Sequence, residues 1–190
     1  MKVIDQYLTE ALIFSQDDLA YKFDDWKSGK TNVLLVLGFA GSGKTTTGKE
    51  LAKKYKCQYL STDDDSIKEL EKLWEDLKDK HDREKAIEKW DENAHIAMMR
   101  YLKSIKKSIV IEGVHLFFWL SPQEIAKFPT IIKGTSHIIS TIRAIKRNLK
   151  RNKGNEKNLP WYKLVWWTLK DNIDIRPKYN KLVEYLKVKQ

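Results

Sequence analysis

The chain is poor in cysteine: Cys57 is the only one in 190 residues, so no disulfide can form within it and a reducing compartment suits it. It is equally short of long apolar runs. The longest, VHLFFWL at residues 114–120, falls far below the ~20 residues that a membrane-spanning helix needs. The N-terminal stretch MKVIDQYLTEAL interleaves acids with apolar residues and has no apolar core of the kind a secretory signal carries. These absences set the expectation of a cytoplasmic protein with no membrane partner. The four histidines and the lone cysteine nowhere take metal-ligand spacing, which argues against structural zinc. Internal repeats and low-complexity tracts are missing as well, against a solenoid or fibrous class. Acidic residues are outnumbered, 26 against 36 basic, and the formal charge of +10 favours anionic partners, nucleotides or nucleic acid.

What is present reads as globular, with 42% hydrophobic and 33% charged residues. The length suits one domain, residues 1–190. Ile4, Leu8, Leu12, Leu19 and Phe23 recur at helical or near-helical spacing, so residues 2–26 are expected to form one or two helices, an extension closing near residue 28. VLLVL (33–37) is a fully apolar run of strand length, as in a parallel sheet covered on both faces. TTTGKELAKKY reads as the helix after it, and CQYLS (57–61) as a second strand closing a βαβ unit. Ile67, Leu70, Leu73, Trp74 and Leu77 suggest one helix, and Ile87, Trp90, Ala94, Ala97, Tyr101 and Ile105 another. SIVIEG (108–113) and TIIKG (130–134) are further strand candidates. Between them Ser121, Pro122 and Glu124 carry the signature of a helix start. TSHIISTIRAIKRNLKRN reads as a helix with Ile138, Ile142, Ile145 and Leu149 on one face. The loop NKGNEKNLP and an aromatic, basic segment (158–190) follow, with Ile175-Arg176-Pro177 expected to interrupt it before a last helix or strand. Strands alternating with helices predict an α/β class with a parallel sheet of four or five strands between helical layers.

The stretch GFAGSGKTTTGKE (38–50) carries the chemistry. Gly38, Gly43, Lys44 and Thr45 satisfy the Walker A pattern GxxxxGK[S/T] in full, between an apolar strand and a helix. Its glycines let successive backbone N–H groups, from Gly41, Ser42 and Gly43 to Thr46, converge on an anion at a helix N-terminus. Lys44 is placed to reach the β- and γ-phosphates of a nucleoside triphosphate, and the Thr45 hydroxyl to ligate Mg²⁺.

Ligands of such sheets sit at the carboxyl ends of the strands. Two acidic sites fall there: STDDD (61–65) and Glu112 in IVIEG. A carboxylate in that position serves Mg²⁺ coordination or activation of an acceptor hydroxyl, so Asp63 and Glu112 are candidate metal-site residues and Asp63 a candidate catalytic one. Asp64 and Asp65 also fit helix capping, and Glu112 also fits a solvated strand end. Arg143, Arg147 and Arg151, four apart, share one helix face and suit the charge that develops in phosphoryl transfer; a solvated basic face or a nucleic-acid surface is the plainer alternative.

GFAGSGKT, LSTDD, IVIEGVHL and TIIKGTSHIISTIRAIKRN together resemble the P-loop kinases of small molecules and nucleosides, most of all the uridine kinase and pantothenate kinase group. The resemblance covers roughly residues 32–152. It implies ATP and Mg²⁺ as cofactors, Asp63 acting on the acceptor hydroxyl, and Arg143 and Arg147 in a lid over residues 141–157. Asn148 departs from it, standing where these kinases often carry an aspartate. Zeta-toxin-like and polynucleotide 5′-hydroxyl kinases share the loop and the strand-two acid. Asp64 and His115, beside the strand ends, are candidate acceptor-binding residues; a packed or surface histidine is the plainer reading of His115. Trp161, Trp166 and Trp167 with Lys163 and Lys170 could stack single-stranded bases, against a plainer reading in which Leu164, Trp167 and Leu169 pack on the domain. The resulting expectation is a kinase transferring the γ-phosphoryl group of ATP to a hydroxyl. A nucleotide-gated protein holding nucleic acid or a partner, with slow hydrolysis, is the alternative of another class.

Overall fold

The structure, a computed structural model, describes residues 17–62, 72, 83–152 and 160–190. The expected helix from Ile67 falls outside the described residues, as do residues 2–16 of the N-terminal extension and most of the loop after Asn152.

Five strands form one sheet: β1 (Leu19–Tyr21), β2 (Val33–Leu37), β3 (Gln58–Ser61), β4 (Ile109–Glu112) and β5 (Thr130–Ile132). Their spatial order is β1-β5-β2-β4-β3. β2 lies at the centre, parallel to β4 through Val33↔Ile109 and to β5 through Leu35↔Thr130. Every residue of VLLVL is buried, which is why the run is apolar without alternation. Leu35 and Leu37 face one core cluster, with Ile109 and Ile111 of β4; Leu34 and Val36 face a second, with Val110.

The helices cover both faces. On one side lie α1 (Phe23–Lys27) and α2 (Lys44–Tyr55), whose Phe23, Trp26, Leu51 and Ala52 complete the second cluster. Trp26 meets Tyr55 edge-on at 5.0 Å between ring centroids. On the other side lie α3 (Arg83–Ser104), α4 (Leu116–Trp119), α5 (Pro122–Ile125) and part of α7 (Trp161–Lys189), while α6 (His137–Asn152) packs along α7. The start of α5 is the expected one: the Glu124 amide donates to the Ser121 hydroxyl at 3.3 Å, and the Ser121 amide donates to the Glu124 carboxylate at 2.9 Å.

Three expectations are corrected. The first is helix through residue 26: Leu19 to Tyr21 instead pair antiparallel with β5, so the sheet is four parallel strands plus one antiparallel edge. The reason is tertiary. Buried Asp18 forms an ion pair with Lys133 and accepts from the Gly134 amide at 2.9 Å, which docks the segment on the open edge of β5. The second is the interruption at Pro177, which instead lies inside the continuous α7. Ile175 on one side and Leu182 and Leu186 on the other are all buried, and their anchorage outweighs the one hydrogen bond a proline removes.

The third correction concerns the tryptophans beyond α6. On α6 itself Ile138, Ile142, Ile145 and Leu149 share a face as expected, Ile138 and Ile142 exposed and Ile145 and Leu149 half-buried, while Ser140, Thr141 and Ala144 are buried. A polar seam joins α6 to α7: Asn172 donates to Thr141 at 2.8 Å and Asn148 donates to Thr168 at 3.0 Å. That seam leaves Ile138 and Ile142 facing outward. Trp161, Trp166 and Trp167 are exposed as well, so Trp167 does not pack on the domain with the half-buried Leu164 and Leu169.

Asp18→Asn strips the charge from one partner of a buried ion pair and should lower unfolding stability by about 3–5 kcal/mol, read as a shifted urea midpoint.

Candidate functional site

The loop after β2 is shaped by close backbone approaches. Gly43, at φ 90°, caps α2, a left-handed conformation that glycine adopts without strain. Gly41, at φ 84°, sits directly beneath α6: a Cβ there would lie 2.2 Å from the Ser140 carbonyl oxygen, 2.9 Å from the Ala144 nitrogen and 3.2 Å from Arg143 Cβ. The loop is pinned from β5 as well, because Thr135 donates to the Ser42 carbonyl at 3.0 Å and the Lys133 amide donates to Leu37 at 2.9 Å. Lys44 opens α2 and is buried, as is Ser42; Thr45 is half-buried and Thr46 exposed. Gly38 leads out of β2, where a Cβ would press on Ser42 Oγ at 2.4 Å.

Glu112, the last residue of β4, is fully buried next to that loop. Its Oε1 accepts three hydroxyl hydrogen bonds, from Thr45 at 3.0 Å, Tyr59 at 2.9 Å and Ser61 at 2.8 Å. Its Oε2 is buried, with no hydrogen-bond partner among the described residues. The close approach is made possible by Gly48 of α2, where a Cβ would stand 3.0 Å from the Tyr59 ring and 3.5 Å from Glu112 Cγ. An orphaned carboxylate oxygen beside a threonine hydroxyl at the phosphate-loop helix is an all-oxygen donor set, and it fits a hard cation such as Mg²⁺.

Thr62 continues β3, its amide donating to the Glu112 carbonyl at 2.8 Å, and Gly113 fits against it, a Cβ there falling 1.6 Å from the Thr62 hydroxyl. His115 Nδ1 lies 3.2 Å from the Thr62 carbonyl, and its ring stacks on Trp119 with centroids 5.2 Å apart. His115 therefore stands at the strand ends beside the point where the chain enters Asp63. Asp63 and Asp64 themselves lie outside the described residues. Arg143 and Arg147 are exposed on α6, with the Arg143 Cβ over Gly41. The structure thus gathers the phosphate loop, Glu112, His115 and the start of the arginine helix at one end of the sheet.

Several neighbours went unremarked in the sequence. Tyr59 and Ser61 alternate along β3, and that period of two was the available signal that both face one side. Asn148 ties α6 to α7 rather than facing the loop. Asp171 of α7 lies near His115 as well: its carboxyl is pushed above the ordinary aspartate range by burial first and then by Asp174, with His115 and Lys170 opposing. No periodicity links Asp171 to a site so far away in the chain.

Residues 34–157 match a protein family described as AAA domain. Among solved structures, the chain is similar to a shikimate kinase from Bacteroides thetaiotaomicron, with 15% identity, 78% of this chain and 81% of that one covered, and a TM-score of 0.51. A shikimate kinase from Acinetobacter baumannii, in complex with shikimate, shares 17% identity over 83% of each chain, with a TM-score of 0.46. No curated protein matches the sequence. At 15% identity the first likeness speaks for the fold, a mostly parallel five-stranded sheet flanked by helices.

Two outcomes follow for the site. Gly41→Ala places a methyl group against the α6 backbone and should both destabilise the protein by at least about 1 kcal/mol and weaken nucleotide binding, as measured by urea unfolding and calorimetric titration. Asp171→Asn should raise stability at neutral pH, because a carboxyl with a raised folded-state pKa penalises folding once ionised. That gain should fade as pH falls below the ordinary aspartate range, where the carboxyl is protonated in both states.

Proposed function

The chain belongs to the AAA domain family across residues 34–157, and on that basis we propose that it is a P-loop phosphotransferase moving the γ-phosphoryl group of ATP to a hydroxyl of a small molecule, nucleoside or nucleotide. The observation that carries the reading is Glu112: a fully buried carboxylate at a strand end, bonded to the Thr45 hydroxyl of the phosphate loop, with its second oxygen left without a partner among the described residues. Buried polar groups are rarely left unpaired, and a carboxylate oxygen so placed suits a bound cation. The likeness in fold to a protein named shikimate kinase supports a small-molecule acceptor.

The residues divide the work as follows. Backbone amides of Gly41 to Thr46 and the Lys44 ammonium hold the β- and γ-phosphates. Thr45 and Glu112, with Asp63, offer oxygens to Mg²⁺, which when bound neutralises charge on the phosphates. Asp63 orients the acceptor hydroxyl and takes its proton as the oxygen attacks the γ-phosphorus. His115, beside the same strand end, and Asp64 contact the acceptor. Arg143 and Arg147 swing over the transferring group, stabilise its equatorial oxygens and exclude water. The bond from the γ-phosphorus to the bridging oxygen breaks, and ADP leaves.

The test is a screen of nucleosides, nucleotides, sugars, vitamins and 5′-hydroxyl oligonucleotides with γ-labelled ATP. Lys44→Ala should abolish transfer. Asp63→Asn should keep ATP binding while slowing transfer about a hundredfold or more. Transfer undiminished in Lys44→Ala would show the site to be elsewhere.

A further inference from the structure

Eight of the eleven large apolar side chains exposed among the described residues lie on α6 and the first half of α7. Scattered apolar residues need no explanation, but this concentration does. The two helices run antiparallel, since Thr141 meets Asn172 while Asn148 meets Thr168. At about 100° of rotation per residue, Ile138 and Ile142 of α6 lie roughly a quarter-turn outward from that seam, and so do Tyr162, Trp166 and Ile173 of α7. In an antiparallel pair those rotations have opposite sense, so both sets point the same way and form one strip. Ile138 is 69% exposed and Trp166 65%. Exposed Lys146 and Lys150 border the strip on the α6 side and Lys170 on the α7 side. α6 contains no acidic residue.

The rim of lysines decides the occupant. A second copy of the chain would set lysine against lysine across the contact, and like charges facing each other oppose association. Single-stranded nucleic acid would suit the lysines and the indole, but the centre of the strip is largely aliphatic rather than a row of stacking rings. An anionic bilayer matches the strip and its lysines, with Asp174 of α7 an exposed acid beyond Lys170: aliphatic and aromatic groups enter the interface, amphipathic rings sit at headgroup depth, and lysines meet the lipid charge. No described helix is long and apolar enough to cross a membrane, so the contact is with the surface.

We propose that the outer face of the α6–α7 pair docks on an anionic lipid bilayer, the two helices lying flat with Ile138, Ile142, Tyr162, Trp166 and Ile173 at the acyl boundary. The docked face is opposite the side of α6 that packs on Gly41, so the nucleotide site stays open to solution. The proposal does not depend on the phosphotransfer reading.

The full chain is floated with vesicles of phosphatidylcholine alone or mixed with phosphatidylglycerol. It should rise with the mixed vesicles only, with a blue shift in tryptophan emission, and release as salt increases. The double variant Ile142→Asp, Trp166→Asp should bind at least about tenfold more weakly while retaining the thermal melt and ATP affinity of the parent. Lys146→Glu with Lys170→Glu, a change confined to the rim, should lose the preference for anionic vesicles without altering the melt. Failure of the parent to float with the mixed vesicles overturns the proposal, as does flotation of either variant at the parental level. It is likewise overturned if the parent proves dimeric by sedimentation and the apolar variant monomeric, or if the parent ignores vesicles and binds a single-stranded oligonucleotide through the same residues.

Discussion

A carboxyl group taken out of water costs several kcal/mol unless its oxygens find hydrogen bonds, and the buried Glu112 sets that constraint for the whole nucleotide end of the molecule. Its three donors come from two elements, Thr45 from α2 and Tyr59 and Ser61 from β3. Satisfying one oxygen therefore fixes the start of the phosphate-loop helix, the end of β4 and one face of β3 relative to each other. Gly48 is part of the same arrangement, because a Cβ there would stand 3.0 Å from the ring of Tyr59, one of the three donors. The phosphate loop is thus held by the same contacts that join α2, β4 and the edge strand β3.

Much of this was legible in the sequence, because the strongest signals were local. VLLVL has the length and unbroken apolarity of a strand buried on both faces, which it is, and GFAGSGKT, wedged between it and a helix pattern, marks the turn that leads into α2. The carboxylate at the end of IVIEG was visible as a strand-end acid. Its three hydroxyl partners were not, since they lie 51 to 67 residues away and no spacing rule connects them. The strand at Leu19 to Tyr21 escapes the sequence for the same reason. Their apolar spacing fits either element, and the choice is made by the Asp18–Lys133 pair more than a hundred residues apart in sequence.

α6 shows the limit from the other direction. Its amphipathic pattern was plain, and an aliphatic stripe is ordinarily the buried side of a surface helix. Here the polar side is buried, because Thr141 and Asn148 meet Thr168 and Asn172 of α7 while Ser140 and Ala144 press on Gly41. Periodicity says that a helix has two faces; only the neighbours say which one is inside. Proline 177 carries a similar lesson, since its local veto on helix was outweighed by Ile175, Leu182 and Leu186 anchoring both sides.

The long helix α7 has a mechanical consequence. At 29 residues it measures about 43 Å, with its C-terminal half rooted in the core and its N-terminal half carrying α6 on the polar seam. Gln190 at its far end donates to the Ala20 carbonyl at 3.1 Å, so the base of this mast is also moored to the edge strand. The arginine helix is consequently not a flap on a loose tether but a yard lashed to a mast. To lift it off the phosphate loop, either the lashings at Thr141 and Asn148 part or the mast itself leans. How far α6 can lift is therefore a question of the stiffness of one helix and the strength of a few amide-to-hydroxyl bonds.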